Sequence, residues 1–445
     1  MKGSKNKIAL LTIASILIAL PLILSFTRLN RVIPLKGDVQ LTQKPELNAK
    51  SWFDGSFQGK FEKYVNDNIG FRPWFVRVRN QITYSLYGKL NAAYVIRGKE
   101  DYFYEINYIK AYNGSDFIGK DTIVERAEQI KLLQDSLQKL DKTLIICIAP
   151  GKGSFYPEYF PDEYKMPHTD LTNYHLYKTT FDSLGVNYID FNGLFMAMKD
   201  TSRYTLYPKY GIHWSYYGML LATDSLISFI ENKRHIDLPD LKLTNFKLSK
   251  HLNNSDYDIA DGLNLVFKLP IDPLCYPEIS WEDPTNKDQP KVIVIADSFY
   301  WSMFGTEVWN KSFSPGGFWY YNKQIYPESF SQEFLVENVN HKEAIDENDV
   351  FVIMANEANL PFFPWGAVEN LLRPFEPGYK NNIEQKKAEA YKEKLEIERN
   401  ISIMKADEKW LNDIKQKAEK NGISVDSMLY LDAIWLIESK KEQNK

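Results

Sequence analysis

Short apolar runs of strand length recur along this chain, and they restrict its possible folds more than any other feature. The runs are TLIICIAP (143–150), VNYIDF (186–191), KVIVIADSF (291–299) and DVFVIMANEA (349–358). Segments with helical periodicity lie between or before them, at 121–140, 170–184 and 215–232. Such alternation is typical of a parallel sheet with helices on both faces. The sequence therefore predicts an α/β fold whose chemistry lies at the carboxyl ends of the strands.

The N-terminus predicts a membrane anchor. Three lysines in MKGSKNK precede an apolar stretch of 19 uncharged residues, 8–26, which is about the length that spans a hydrocarbon core. Pro21 lies inside this stretch, where membrane helices tolerate it. A cleaved signal peptide is the alternative, although no A-x-A-like cleavage site follows. We expect residues 1–27 to be a cytoplasmic N-terminus and single-pass signal anchor, with the main domain periplasmic or otherwise extracytoplasmic.

Composition shifts suggest four further segments. Residues 28–50 read as a stalk and 51–375 as the main domain, which begins with two amphipathic helices and a hairpin at 92–104. Residues 236–290, rich in Asn, Asp and Pro, interrupt the α/β pattern and are predicted to be an insertion. Residues 376–445 are charged and helical, and are predicted to pack on the main domain or on a partner.

Charge and cysteine content exclude several classes of protein. The net charge is −4, and basic residues do not cluster beyond the termini, which argues against a nucleic-acid partner. Cys147 and Cys275 are the only cysteines, and a disulfide between them stays open. No clustered Cys/His set is present, so neither a metal nor a cofactor is predicted. The aromatic content of 14% fits large cores and interfaces, or platforms for carbohydrate.

A serine stands where one predicted strand turns sharply into a helix. The strand KVIVIA ends at Asp297-Ser298-Phe299, and YWSMF continues as a plausible helix. A serine at such a turn is exposed above the sheet, close to free N–H groups that can bind an oxyanion. Acyl transfer through a serine nucleophile needs this geometry. The alternative is that Asp297 or Ser298 only caps the helix.

His213 is the natural partner of this serine. It precedes Ser215, a good N-cap for the helix that begins SYYGMLLATDSL, so it also lies at a strand end in this layout. The alternative is a structural histidine packed among Trp214, Tyr216 and Tyr217. The remaining histidines lie in polar, loop-like or helical-surface contexts and are poorer candidates.

The order of these motifs resembles the alginate O-acetyltransferase family, also called AlgJ/AlgX-like or DHHW proteins, which has an SGNH-hydrolase-like domain. Pro150-Gly151-Lys152 follows the first strand, Gly211-Ile212-His213-Trp214 comes next, and Ala296-Asp297-Ser298-Phe299 completes the set. The upstream stretches FEKYVNDNIGFRPWF and VIRGKEDYFY also look like this family. The resemblance covers roughly residues 50–370.

The resemblance implies roles for these residues. Ser298 would be the nucleophile that carries the acyl group, and His213 the general base. Backbone N–H groups of Ser298 and Phe299 would form part of an oxyanion hole, and Asn356 is the candidate polar side chain beside them. The remaining motif residues predicted to bind substrate or oxyanion are Lys152, Trp214 and Asp297. The family also implies an integral-membrane O-acyltransferase as acetyl donor and a polysaccharide as acceptor.

The chain departs from the family pattern at one position. The family's triad acid lies two residues before the histidine, where this sequence has Gly211. A carboxylate from elsewhere could replace it, with Asp190 and Glu357 as candidates. A backbone carbonyl could instead orient the imidazole and leave a Ser–His dyad, or the site could be inactive.

The sequence therefore predicts a membrane-anchored, extracytoplasmic O-acetyltransferase that acts on a polysaccharide through acyl-Ser298. A carbohydrate esterase with the same two residues is the first alternative, since only the acceptor of the acyl group differs. An inactive, polysaccharide-binding scaffold of the same fold is the second, motivated by Gly211 and by the aromatic content.

Overall fold

The computed structural model describes residues 2–26, 33–37, 39–166, 169, 171–421 and 423–443. The helices that precede the first strand of the large sheet along the chain are α1 Lys2–Phe26, α2 Ala49–Phe53, α3 Ser56–Asn68, α4 Arg72–Tyr87, α5 Ile106–Asn113 and α6 Lys120–Gln138. Those in the middle of the chain are α7 Lys152–Phe155, α8 Asn173–Leu184, α9 Phe191–Met198, α10 Tyr216–Arg234, α11 Asp258–Gly262, α12 Tyr300–Phe304 and α13 Val308–Lys311. The last helices are α14 His341–Glu347, α15 Ala367–Leu372, α16 Asn381–Ala406, α17 Glu408–Asn421 and α18 Val425–Gln443.

The strands form one large sheet and two hairpins. The sheet order is β4-β3-β10-β7-β8-β9, from strands β3 Thr143–Ala149, β4 Tyr188–Asp190, β7 Lys291–Ala296, β8 Ser314–Tyr320, β9 Gln324–Tyr326 and β10 Val350–Asn356. The hairpins are β1 Val95–Arg97 with β2 Phe103–Glu105, and β5 Leu241–Ser249 with β6 Leu274–Trp281.

Alternation along the central strands explains why the sheet is buried on both sides. Ile145, Cys147 and Ala149 of β3 face one core, while Leu144, Ile146 and Ile148 face the other. Helix α10 covers the first core, and helices α6 and α8 cover the second. Successive side chains of a strand point to opposite faces, so a run without polar residues can satisfy two helical layers at once.

The predicted α/β architecture is confirmed, but the sheet is mixed rather than wholly parallel. Strands β4, β3, β10, β7 and β8 run parallel, whereas β9 pairs antiparallel with β8. Sequence reasoning missed β8 because SPGGFWY contains a proline and two glycines. The register shifts at this point, and a Cβ at Gly316 would come within 2.4 Å of the Val292 carbonyl oxygen. Glycine therefore permits the bulge that keeps β8 paired with β7.

Residues 236–290 are tied to the main domain more closely than an insertion need be. Their hairpin β5–β6 flanks helix α11, and Tyr257, Ile259 and Ala260 are buried in the same core as helix α10. Trp281 donates from Nε1 to the carbonyl of Thr306 at 3.0 Å. This segment therefore reaches the carboxyl edge of the sheet.

The C-terminal helices α16, α17 and α18 share a small core of their own, which includes Met404, Ile414 and Leu429. Helix α16 also contacts the main domain. Tyr391 donates to the carbonyl of Glu333 at 2.9 Å, and Glu384 pairs with Arg373 at 3.1 Å. The tail thus packs on its own domain, one of the two arrangements expected from the sequence.

The segment with the predicted membrane anchor forms helix α1, Lys2–Phe26. Across the described residues, no helix combines the length and the apolar character that a membrane crossing requires.

Candidate active site

Ser298 and His213 meet at the carboxyl edge of the sheet. Ser298 lies two residues after β7, and His213 lies three residues before α10. Ser215 is the N-cap of α10, and its hydroxyl accepts a hydrogen bond from the Gly218 N–H. The Oγ atom of Ser298 is 2.9 Å from Nε2 of His213. Both side chains are partly exposed, so a substrate can reach them. Two residues 85 positions apart therefore form the pair that their motifs predicted.

A carboxylate completes this arrangement, and it comes from Asp258. Its Oδ2 lies 2.7 Å from Nδ1 of His213. Its Oδ1 accepts hydrogen bonds from the N–H groups of Ile212 at 2.9 Å and Ile259 at 2.7 Å. These bonds fix the carboxylate on the first turn of α11. Asp258, His213 and Ser298 thus form a continuous hydrogen-bond chain.

Neither of the two carboxylates predicted to orient His213 contacts it. Asp190 ends β4, three strand positions from β7, which is about 14 Å across a sheet. Its carboxylate caps α9 at Gly193 and accepts from Tyr174 and from Lys178 at 2.7 Å. Asp190 is therefore engaged in the helix cap and an ion pair away from the imidazole.

Glu357 follows β10, the strand next to β7, and so lies two strands closer than Asp190, but its side chain also points elsewhere. It is buried, and its carboxylate accepts from the Ser154 hydroxyl at 2.6 Å. Burial raises its pKa to about 7. A Cβ at Gly151 would come within 2.1 Å of its Oε2, so Glu357 occupies the space beside that glycine. This carboxyl supports the loop after β3 rather than the histidine.

Gly211 explains why the acid can come from another segment. A Cβ at this position would lie 2.3 Å from the Ser255 carbonyl oxygen. The backbone just before Asp258 therefore packs directly against Gly211, where a side chain would exclude it. The residue that marks the departure from the family pattern also makes room for the replacement acid.

Lys152 stabilises the loop that contains Gly211 and His213. Its side chain is fully buried, and Nζ donates to the carbonyls of Lys209 at 2.8 Å and Gly211 at 2.6 Å. Burial lowers its pKa to about 7, although the charge of Asp258 acts in the opposite direction. Lys152 was predicted to bind substrate or oxyanion, and its contacts instead fix the backbone that carries His213.

The electrostatics around His213 favour a base. Burial disfavours the imidazolium, but the hydrogen bond and charge of Asp258, with smaller effects from Asp297 and Glu105, raise the pKa of His213 above its usual value. A carboxylate only accepts, so Nδ1 carries the proton towards Asp258. In the neutral ring Nε2 then has a lone pair that accepts the Ser298 hydroxyl proton. This tautomer is the one that a general base needs.

Asp297 accepts hydrogen bonds from groups that were predicted to bind the oxyanion, and it does not face the substrate itself. It is buried, and its Oδ1 accepts from the Phe299 N–H at 3.0 Å. Its Oδ2 accepts from the Asn356 N–H at 2.8 Å and from Asn356 Nδ2 at 2.6 Å. The Asn356 Oδ1 accepts from the N–H of Ala358. The Phe299 N–H and one N–H of the Asn356 side-chain amide are therefore engaged by Asp297.

Trp214 forms part of the floor of the site. It is buried, its Nε1 donates to Ser302 Oγ at 2.8 Å, and its ring stands at 67° to that of Phe299, with the ring centroids 5.2 Å apart. Phe299 also lies 4.9 Å from the His213 ring centroid. These contacts support the imidazole, in place of the substrate contact predicted for Trp214.

Three residues near the site had no clear sequence signal. Asp258 lies in the segment interpreted as an insertion. Asn359 donates to Asp297 Oδ2 at 2.8 Å, and Tyr321 follows β8, a strand that sequence reasoning missed. Asn359 lies shortly after the strand FVIMAN, and its place near a strand end was the hint that the sequence offered for it. The described residues include no group of three or more His, Cys, Asp or Glu side chains placed to hold a metal ion.

The carboxyl edge of this α/β sheet carries an Asp–His–Ser hydrogen-bond chain, the arrangement that proteins with a serine nucleophile use for acyl transfer. Residues 95–257 match the family model described as the SGNH hydrolase-like domain of the acetyltransferase AlgX. The resemblance predicted from the motifs is thus confirmed over this segment. The matched residues include Lys152 and His213, while Asp258 and Ser298 lie beyond them. No curated protein sequence matches the chain.

Three of the solved structures to which the chain is similar come from Pseudomonas and Bacillus species. The O-acetyltransferase domain of Pseudomonas putida AlgJ is 16% identical, with a TM-score of 0.40 over 62% of this chain and 98% of its own. Pseudomonas aeruginosa AlgX is 12% identical, with a TM-score of 0.42 over 67% of this chain and 73% of its own. Bacillus cereus PatB1, solved with a sulfonyl adduct, is 12% identical, with a TM-score of 0.38 over 61% and 96%.

Proposed function

We propose that this chain is an O-acetyltransferase that moves an acetyl group to a hydroxyl of a polysaccharide through an acyl-Ser298 intermediate. The hydrogen-bond chain from Asp258 through His213 to Ser298 carries this proposal. The matched SGNH hydrolase-like acetyltransferase domain supports the choice of acyl transfer among the reactions open to a serine nucleophile.

In the first half-reaction, Ser298 Oγ attacks the carbonyl carbon of the acetyl donor while His213 Nε2 takes the hydroxyl proton. The C–O bond to the leaving group then breaks, and the leaving group takes the proton from Nε2. Asp258 holds Nδ1–H and stabilises the imidazolium that exists between the two events. The product is acetyl-Ser298.

In the second half-reaction, an acceptor hydroxyl gives its proton to His213 Nε2 and attacks the acetyl carbon. The bond to Ser298 Oγ breaks, and the proton returns from Nε2 to Oγ. The acceptor leaves as an acetate ester, and the enzyme returns to its starting state. The Ser298 side chain is partly exposed, which gives an acceptor the access that this step needs.

Aromatic rings beside Ser298 support a sugar as acceptor. The Tyr320 and Tyr321 ring centroids are 4.6 Å apart, Trp301 lies 5.4 Å from Tyr320, and Trp365 lies 5.4 Å from Tyr321. All four rings are partly exposed. Partly exposed rings offer flat apolar faces with polar tips, and such a surface suits the C–H face of a sugar ring. Saturation-transfer NMR, in which the protein is irradiated and the sugar protons are observed, would identify the preferred class of sugar when a neutral and an anionic oligosaccharide are compared.

The experiment that tests the function is detection of the intermediate. The full chain is mixed with p-nitrophenyl acetate, and the intact mass is recorded with wild type, Ser298→Ala and His213→Ala. A gain of one acetyl group on wild type, absent from both variants, is expected. Unmodified wild type would overturn the proposal.

An esterase with the same intermediate is the second candidate, because water can replace the sugar in the second half-reaction. Adding oligosaccharide acceptors separates the two. Faster turnover with acetyl groups recovered on the sugar supports the transferase, and turnover to acetate alone supports the esterase. The inactive scaffold has less support than Gly211 suggested, because Asp258 supplies a carboxylate to His213.

The cellular context remains part of this proposal. The apolar run 8–26 supports an anchor in the cytoplasmic membrane with the catalytic domain outside, and the family resemblance supports an integral-membrane O-acyltransferase as donor. Alkaline extraction of membranes tests the anchor, since an anchored chain stays in the pellet. Co-purification from detergent with the donor protein of the same cell tests the partner.

A further inference from the structure

Acyl transfer requires donors for the oxyanion, and Asp297 engages two of the N–H groups that the sequence suggested for this role. The Phe299 N–H and the Asn356 amide both donate to Asp297. The Ser298 N–H has no acceptor among the described residues, and it remains as one donor. Removal of a single oxyanion donor typically costs about 10²–10³ in kcat, so a second donor is expected close by.

Tyr321 lies where that donor should be. Its neighbour Tyr320 pairs with Ala296 across the parallel strands β7 and β8, and the Tyr321 N–H donates to the Ala296 carbonyl at 2.8 Å. Tyr321 is therefore level with the residues that follow Ala296, namely Asp297 and Ser298. The two side chains also interact, since burial raises the pKa of the Tyr321 hydroxyl and the Ser298 hydroxyl acts in the opposite direction.

The backbone of Tyr321 is held in an uncommon conformation. Its φ is +49°, in the left-handed region that bulky side chains seldom adopt. Its ring stands at 89° to that of Trp365, with the centroids 5.4 Å apart. Asn322 shares this conformation, with φ of +54°, because both residues lie in the tight turn that joins β8 to β9.

A hydrogen-bond relay orients the Tyr321 hydroxyl. Asn359 Nδ2 donates one proton to Asp297 Oδ2 at 2.8 Å and is 3.4 Å from the Tyr321 Oη. Because Asp297 is a carboxylate, it selects the NH₂ side of the amide, so Tyr321 Oη accepts the second proton. The hydroxyl proton of Tyr321 then points away from Asn359 and is available to another acceptor.

We propose that the Tyr321 hydroxyl is the second donor of the oxyanion hole, oriented by Asn359 as a positioning residue. This inference rests on the acyl-serine function proposed above. The oxygen that becomes negative when Ser298 attacks would accept from the Ser298 N–H and from Tyr321 Oη–H. No proton is transferred from Tyr321, so the balance of the two half-reactions is unchanged. The raised pKa keeps this hydroxyl protonated at neutral pH.

The decisive variant is Tyr321→Phe, which keeps the ring and removes only the hydroxyl. The matched control is Tyr326→Phe on the neighbouring strand β9, whose hydroxyl donates to Gln324 Oε1 at 3.1 Å. Both are purified as full chains, and acetylation of Ser298 by p-nitrophenyl acetate is followed with the thermal midpoint. We expect Tyr321→Phe to lower kcat by about 10²-fold with KM within threefold. Tyr326→Phe should stay within threefold of wild type in both constants.

Asn359 is tested by a double-mutant cycle, because a structural role alone would not couple it to the hydroxyl of Tyr321. Asn359→Ala is expected to lower kcat in the wild-type background by about tenfold. In the Tyr321→Phe background the same substitution should change kcat by less than threefold. Equal factors in the two backgrounds would overturn the positioning role.

The remaining outcomes separate this inference from the function on which it rests. If wild type is acetylated and Tyr321→Phe is acetylated as fast, the oxyanion role is wrong and the function stands. A loss shared equally by Tyr326→Phe also overturns the role, since it would reflect a general effect of removing a tyrosine hydroxyl. If wild-type Ser298 is never acetylated, the function and the inference fall together.

Discussion

Gly211 and Ser255 are in such close backbone contact that a Cβ on the glycine would lie 2.3 Å from the serine carbonyl oxygen. The segment held in this way leads directly into Asp258, whose Oδ2 is 2.7 Å from His213 Nδ1. An aspartate two residues before the histidine and an acid from residue 258 are therefore mutually exclusive. The site uses the second solution.

Restoring the family residue should consequently damage the site. Gly211→Asp is expected to push the 255–256 backbone away and withdraw Asp258, lowering the rate of Ser298 acetylation by 10²-fold or more. Overpacking should also destabilise the fold by about 1–3 kcal/mol. Gly262→Ala is the control, because a Cβ there meets nothing within 4 Å. Urea unfolding and acetylation kinetics measure both effects, and an active Gly211→Asp would show that the two acids can coexist.

Asp258→Asn should remove the charge and favour the wrong tautomer of His213. The expected loss in kcat is about 10⁴-fold, as for the equivalent change in a serine protease. Asp190→Asn changes the carboxylate that the sequence suggested. The amide can still cap α9, so the substitution should remove only the ion pair with Lys178 and leave kcat within threefold. Stopped-flow acetylation of both variants decides which acid serves the histidine. Comparable losses in kcat would contradict the assignment to Asp258.

The pH dependence should report the pKa of His213. The imidazolium cannot take a proton from Ser298, so the acetylation rate should rise with pH. It should reach half its maximum above pH 6.5, because the pKa of His213 is raised above the usual histidine value of about 6.5. Asp258→Asn should move the histidine titration to lower pH, and Glu105→Gln should move it less. NMR of ¹³C-labelled histidine, assigned with His213→Ala, measures each pKa directly. An unshifted titration in Asp258→Asn would contradict the stated cause.

Glu357 should make the stability of the fold pH-dependent. Its folded pKa of about 7 lies above the ordinary 4.5, so between these values the folded chain keeps a proton that the unfolded chain has lost. This contribution is complete below pH 4.5 and is lost as pH rises through 7. It is on the order of 3 kcal/mol. Urea unfolding at several pH values should therefore show a shallower fall for Glu357→Gln than for wild type.

The control for that measurement is Glu369→Gln, which neutralises an exposed carboxylate on α15. Its unfolding free energy should follow the wild-type curve across the same pH range. If both variants parallel wild type, the Glu357 carboxyl is ionised in the folded chain, and burial does not hold its proton.

Local sequence determined four strands of the central sheet, β3, β4, β7 and β10, and the positions of the two reacting residues. A continuous apolar run of strand length between helical segments indicates a strand buried on both faces, and a serine after such a run, or a histidine before a helix cap, is expected at the sheet edge. The helical tail and the β1–β2 hairpin follow from periodicity and turn residues in the same way. These features depend on neighbours within one or two turns of the chain, so they can be read without knowing the fold.

Only the tertiary structure decided which polar groups meet. Asp258 is 45 positions from His213 and reaches it because Gly211 admits the 255–256 backbone. Asp190 looked suitable in sequence, but the strand order placed it three strands away. The Asp297 carboxylate accepts hydrogen bonds from Phe299 and Asn356. The bulge at Gly316 keeps β8 paired with β7, and this pairing places Tyr321 level with Ser298. Each of these outcomes depends on strand order or on contact between distant segments, and local pattern carries no information about either.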